Sequence, residues 1–169
     1  TAVWKDSLTL WNYVIRMEPG KTFFPYNNRG IAYSDMGQYD RAIEDFNKVI
    51  SLQNNFADAV CNRGLSYLAN KNYTSALQDF SKVVELDQED ADAWYYIGFI
   101  YNQTNNYEQA VIALTKVIGM EADAGDAYFE RGIAWFNLMK DEDACTDWSE
   151  GILIGNEMCK KMYDAECVQ

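Results

Sequence analysis

The stretch Tyr26–Phe46 reads YNNRGIAYSDMGQYDRAIEDF, and its pattern returns every 34 residues. Gly30 is followed at that spacing by Gly64, Gly98 and Gly132, and Tyr33 by Tyr67, Tyr101 and Trp135. Ala42 recurs as Ala76, Ala110 and Ala144, and Phe46 as Phe80, Leu114 and Trp148. A fixed period of this length, with small residues where two helices would touch and bulky apolar ones between them, predicts an array of helical repeats. Within the stretch the apolar positions fall at helical spacing twice, from Tyr26 through Gly30 to Tyr33, then from Tyr39 through Ala42, Ile43 and Phe46 to Val49 and Ile50. Each unit is therefore a pair of helices. Gly37, Asn72, Asn105 and Asn106 stand where the chain must leave one helix and enter the next. Asp58, Asp92 and Asp126 open the first helices of later units, at the positive end of the helix dipole.

These residues resemble the tetratricopeptide repeat, a helix-turn-helix unit that carries a large residue, a glycine, two tyrosines, an alanine and an aromatic in this order. The similarity covers residues 23 to 158 in four units, 23–56, 57–90, 91–124 and 125–158. The resemblance implies an all-α fold, an α-solenoid of helix-turn-helix repeats wound into a right-handed superhelix, and a single domain over 1–169. The proline that usually ends the second helix is replaced by Asn54, Gln88 and Ala122, and Asp141 takes the place of Tyr39, Tyr73 and Tyr107. Before the first unit, Trp4, Ser7, Trp11, Val14 and Pro19 repeat the spacing of Tyr39, Ala42, Phe46, Val49 and Asn54. Residues 1–19 are thus expected to be the second helix of a preceding partial repeat, so that the chain begins inside a unit. After unit four, Asn156 is placed to cap a helix within 157–169 in which Cys159, Met162, Tyr163 and Cys167 share a face, while Lys160, Lys161, Asp164 and Glu166 face water.

Comparing the units with one another adds a structural expectation. Arg29, Arg63 and Arg131 precede the repeat glycines of units one, two and four, and Asp45, Asp79 and Asp147 follow them by sixteen residues; unit three has Ile97 and Ala113 instead. Arginine and aspartate appear and disappear together, as the two members of a half-buried ion pair must, because losing one strands the other. The expected pairs are Arg29 with Asp45, Arg63 with Asp79 and Arg131 with Asp147; chance is the alternative in a sample of four.

Function must come from residues that packing does not use. The other face of each first helix carries Asn27, Asn28 and Ile31, then Cys61, Asn62 and Leu65, then Tyr95, Tyr96 and Phe99, then Phe129, Glu130 and Ile133. In the resembling family this face lines a concave groove. Asn28 and Asn62 are equivalent, and an amide that both donates and accepts can pair with any peptide backbone. This is similar to the asparagine ladder in the superhelix of the O-linked N-acetylglucosamine transferases, although Tyr96 and Glu130 interrupt it here. A solvated helix face is the alternative for the asparagines. Tyr95, Tyr96, Phe99, Phe129 and Phe136 form an aromatic concentration that is either an anchor site for a peptide or, if the C-terminal helix covers it, core. The peptide-binding residues expected are Asn27, Asn28, Asn62, Tyr95, Tyr96, Phe99, Phe129 and Glu130. The groove positions hold almost no basic residues, so the carboxylate clamp by which co-chaperones of this family grip a chain terminus is disfavoured.

Composition narrows the partner. Fourteen basic residues against 26 acidic ones give a net charge of -12, which repels phosphate backbones and anionic lipid surfaces. The expected partner is a protein or peptide that is neutral, apolar or basic; nucleic acid and direct membrane contact are not expected, and self-association is an alternative. No apolar run approaches the roughly 18 residues of a membrane span. The expectation is a soluble domain, cytoplasmic by default, or a tethered extracytoplasmic one. There is no histidine, and no C-x-x-C, nucleophile elbow, P-loop or zinc-protease motif, so neither a cofactor, a metal nor catalysis is expected. Cys145, Cys159 and Cys167 lie near the C-terminus; a disulfide between the last repeat and the final helix is one account, and buried thiols acting as small hydrophobes are the expected one. The function expected is a non-catalytic interaction module that holds a segment of a partner; the alternative is a structural scaffold or self-assembling appendage of a larger, membrane-anchored protein.

Overall fold

The computed structural model describes residues 2–18, 20–121 and 123–168, with side chains from residue 8 onward. The expectations placed on the side chains of Trp4 and Ser7, and those placed on Pro19 and Ala122, therefore lie outside what the structure describes. The chain is all-α: ten helices and no strand among the described residues. It is a solenoid of helical repeats that divides into two compact units, Thr1–Leu86 and Asp87–Gln169. No described helix is long and apolar enough to cross a membrane.

In the first unit α1 (Ala2–Met17), α2 (Phe24–Asp35), α3 (Tyr39–Leu52), α4 (Ala57–Ala69) and α5 (Tyr73–Leu86) each pack on the next. Pro25 stands in the first turn of α2, where its fixed φ suits the helix and its missing N–H is not needed. Its core side presents Tyr26 and Gly30 to Ala42, Phe46 and Val49 of α3, and Ala59 of α4 closes the same cluster. In the second unit α6 (Ala91–Gln103), α7 (Tyr107–Met120), α8 (Gly125–Asn137), α9 (Asp141–Leu153) and α10 (Glu157–Glu166) follow the same order. The first helices α6 and α8 also touch, as do α8 and α10.

The repeat glycines set how near the paired helices come. A methyl group on Gly98 would stand 2.5 Å from Cγ of Leu114, and one on Gly132 would collide with the indole of the fully buried Trp148. Any side chain there forces the pair apart. The turns inside the units share one geometry. Gly37, Lys71, Asn105 and Met139, again 34 apart, all adopt the left-handed conformation, with φ between 56° and 70°. The next amide bonds back to the carbonyl five residues earlier: Gln38 to Tyr33, Asn72 to Tyr67, Asn106 to Tyr101, Lys140 to Trp135. That bond closes the helix end as a Schellman turn does.

The thiol reading of the C-terminal cysteines is corrected. Cys145 of α9 and Cys167, just past α10, form a disulfide with their Cα atoms 5.8 Å apart. Helix α10 folds back along α9, bringing together two residues 22 apart in sequence. Cys159 does keep the role of a small hydrophobe: it is fully buried among Ala144 and Trp148.

Candidate functional site

The three arginines that precede the repeat glycines are part of the framework. Arg29 donates from Nε and Nη2 to the two carboxylate oxygens of Asp45, at 2.7 and 2.6 Å. Arg63 holds Asp79 in the same fork at 2.8 and 2.6 Å, and Arg131 holds Asp147 at 2.8 and 2.7 Å. A planar guanidinium matches a carboxylate in this two-bond arrangement. The remaining nitrogen, Nη1, reaches the preceding second helix: Asn12 for Arg29, Asn47 for Arg63 and Thr115 for Arg131. Each arginine therefore ties three helices. The sixteen-residue rule located the aspartates but not these third partners, which are asparagine twice and threonine once. In unit three, Ile97 and Ala113 are both buried, so two apolar side chains stand where the other units have the pair.

In the first unit Asn27, Asn28 and Asn62 are half-buried on the adjoining helices α2 and α4. Asn27 keeps its Oδ1 buried without a hydrogen-bond partner. The aromatic concentration of the second unit is divided among different environments. Phe129 is half-buried and, like Ile133, Trp135 and Met162 and Tyr163 of α10, packs against the cluster of Ala144, Trp148 and Cys159. Phe99 is half-buried, and Phe136 is more exposed, its ring 5.9 Å from that of Trp148. Tyr95 and Tyr96 meet edge to face with centroids 5.6 Å apart.

Glu130 is corrected from a groove-facing charge to a buried one, 7% exposed, because α6 and α8 close over it. Asn102, also buried, donates through Nδ2 to both Oε2 and the backbone carbonyl of Glu130, each at 2.8 Å. Burial pushes the carboxyl above its ordinary range, the bond from Asn102 opposes this, and Asp126 adds to the rise. Between the unfolded carboxyl value, near 4.3, and the raised folded value, the native state keeps a proton that the unfolded chain releases, so stability falls as pH rises through that window. Glu130→Gln is expected to flatten this dependence and to raise stability at neutral pH by on the order of 1 kcal/mol. Thermal melts of both proteins from acid to neutral pH check it: their difference must grow with pH.

Tyr95 and Tyr96 line an open cavity of about 510 Å³ bordered by the start of α6, the end of α7, the start of α8 and the α9–α10 turn. Val117 and Ile154 add apolar wall, while Asp92, Glu121, Asp123 and Asp126 supply carboxylates and no lysine or arginine lines it. Asp126 is held in place by Nδ2 of Asn156, 2.8 Å from Oδ1. The Tyr95 hydroxyl is pushed well above the usual phenol range, first by burial and then by Glu130 and Asp126, so it stays protonated and able to donate. An aromatic wall under a negative rim suits a cationic side chain, through carboxylate pairing and the ring faces. Among the described residues no group of three or more acidic or cysteine side chains is placed to hold a metal ion.

Sequence profiles for the tetratricopeptide repeat match residues 24–56 and 61–127. None of the curated proteins matches by sequence. Among solved structures, a crystal structure of MamA superposes with a TM-score of 0.86 at 20% identity, covering 93% of this chain and 91% of that one. MamA 41-end from Desulfovibrio magneticus RS-1 superposes with a TM-score of 0.85 at 24% identity, over 89% and 85% of the two chains. At these identities the likeness is one of fold.

Proposed function

Because this chain belongs to the tetratricopeptide-repeat family, we propose that its four units, 23–56, 57–90, 91–124 and 125–158, act as one protein-interaction module that captures a segment of a partner on the faces of its first helices. The cavity of the compact unit Asp87–Gln169 carries this reading, since tyrosine walls and four carboxylates with no lysine or arginine among the described lining residues define a receptor for a basic side chain within that segment. Within Asp87–Gln169, Tyr95 and Tyr96 serve as anchors; within Thr1–Leu86, Asn28 and Asn62 offer amides for a peptide backbone.

Selection from a random peptide library tests it, run on the native chain and on a folded variant with Asn28, Asn62, Tyr96 and Phe99 all changed to alanine. Enriched peptides are expected to carry lysine or arginine and to be lost on the variant. Asp92→Asn alone should weaken a selected peptide about tenfold, with a loss that shrinks as salt rises. Peptides without basic residues, or equal enrichment on both proteins, would sink the assignment.

A scaffold role is the second reading. Leu10, Tyr13 and Met17, on one side of α1, are 52%, 59% and 62% exposed, an apolar stripe of the kind that associates. Sedimentation velocity of the native chain and of Tyr13→Glu separates the readings: a concentration-dependent dimer lost in the variant favours the scaffold.

A further inference from the structure

Helix α10 is fastened at its two ends by different kinds of bond. At its start Asn156 Oδ1 accepts from the amides of Met158 and Cys159 at 2.9 and 3.0 Å, and its Nδ2 donates to Asp126. One turn on, the Cys159 side chain fills the notch at Gly151, where an added methyl group would collide with the sulfur. Toward the other end Met162 and Tyr163 are only half-buried, and Asp164 and Glu166 face water. The covalent tie there is the disulfide between Cys145 and Cys167, whose two residues are half-buried rather than sealed in the core. A ten-residue helix is marginal in water without tertiary support. Its last turns therefore depend on the disulfide in a way that its first turn does not.

We propose that the Cys145–Cys167 disulfide is a site of thiol–disulfide exchange with a dithiol reductant, and that its opening releases the C-terminal turns of α10 from α9 while the first turn stays anchored. A thiolate of the dithiol attacks one sulfur, the S–S bond breaks, and the other cysteine leaves as a thiolate and takes up a proton. The second thiol of the reductant then attacks the mixed disulfide. It frees the remaining cysteine, which is protonated in turn, and the reductant ends as its own disulfide; two electrons and two protons pass to the protein. Cys159 stays out of the exchange, since it has no exposure and burial pushes its thiol up to about 11. Release of Met162 and Tyr163 opens the part of the Ala144 and Trp148 cluster against which they pack. Reduction thus converts a capped end of the second unit into an exposed hydrophobic one.

Hydrogen–deuterium exchange of the native chain, oxidised and after treatment with excess dithiothreitol, tests this, with thiol labelling as the check that the disulfide has opened. Amides of residues 163–168 are expected to exchange at least about tenfold faster in the reduced protein, while those of α8 and α9 change by less than about twofold. The variant with Cys145→Ser and Cys167→Ser should show the fast pattern without reductant. Unchanged exchange in α10, an equal acceleration of α8 and α9, or a disulfide that resists the dithiol in the folded protein would each overturn the proposal. None of these readouts depends on peptide binding.

Discussion

Asp147→Ala should cost the second unit about 3–5 kcal/mol, the largest loss expected from any single charge deletion there. The carboxylate is 5% exposed and takes two charge-assisted hydrogen bonds from Arg131, whose own side chain is 16% exposed. Without Asp147 the guanidinium stays in that space with Thr115 as its one remaining side-chain acceptor among the described residues, and it is the stranded charge that dominates the loss. The molecule contains its own rescue design. Unit three manages with buried Ile97 and Ala113 at the same register, so Arg131→Ile combined with Asp147→Ala should recover most of the stability lost by the single change. Urea unfolding of the two variants measures this; a single variant within about 1 kcal/mol of the native chain would show that the pair is a surface ornament.

Trp148→Ala should be as damaging, at about 3–5 kcal/mol, by a different route. Trp148 is among the largest fully buried side chains of the described residues; its indole lies against Gly132 and under α10. Truncation leaves a cavity the size of an indole between α8, α9 and α10, and the glycine opposite offers no side chain to fill it. Trp148→Phe, which reproduces the Gly30–Phe46 and Gly64–Phe80 contacts of the other units, should cost much less. Calorimetry of both variants checks the ranking. If alanine and phenylalanine were equivalent, the size of this side chain would not be what joins the helices.

The charge deletion and the truncation differ in how visible they were in the sequence. Gly132 and Trp148 could be paired from the period alone, because each unit repeats a glycine and a bulky residue sixteen apart. Arg131 and Asp147 could be paired only because unit three lost both members at once. The third partner of each arginine was not legible, since Asn12, Asn47 and Thr115 share no side-chain chemistry beyond an oxygen that accepts a hydrogen bond. For the candidate site, Tyr95 and Tyr96 were singled out as aromatics that the repeat core does not need, and both line the cavity. Phe129 and Glu130 were expected on the same helix face, Phe129 as an aromatic and Glu130 by its place in the repeat, yet Phe129 packs against Trp148 and Cys159 and Glu130 is closed in by α6. The turns show the same division. Gly37 and Asn105 have left-handed conformations that their residue types favour, whereas Lys71 and Met139 adopt theirs because the helices on either side require it.

What the sequence by itself determined is the helix pair: its length, the close approach at the glycine, the bulky residue that fills it, and the recurrence of that unit along the chain. These depend on residues within one period, where spacing translates directly into contact. What only the tertiary structure decided is everything built across units or at an end of the chain: the disulfide from Cys145 to Cys167, the burial of Glu130 against Asn102, and the cavity assembled from α6, α7, α8 and the α9–α10 turn. Whether a side chain on a first helix meets solvent or a neighbour depends on what the adjoining helix places over it, and the period of a sequence does not carry that information.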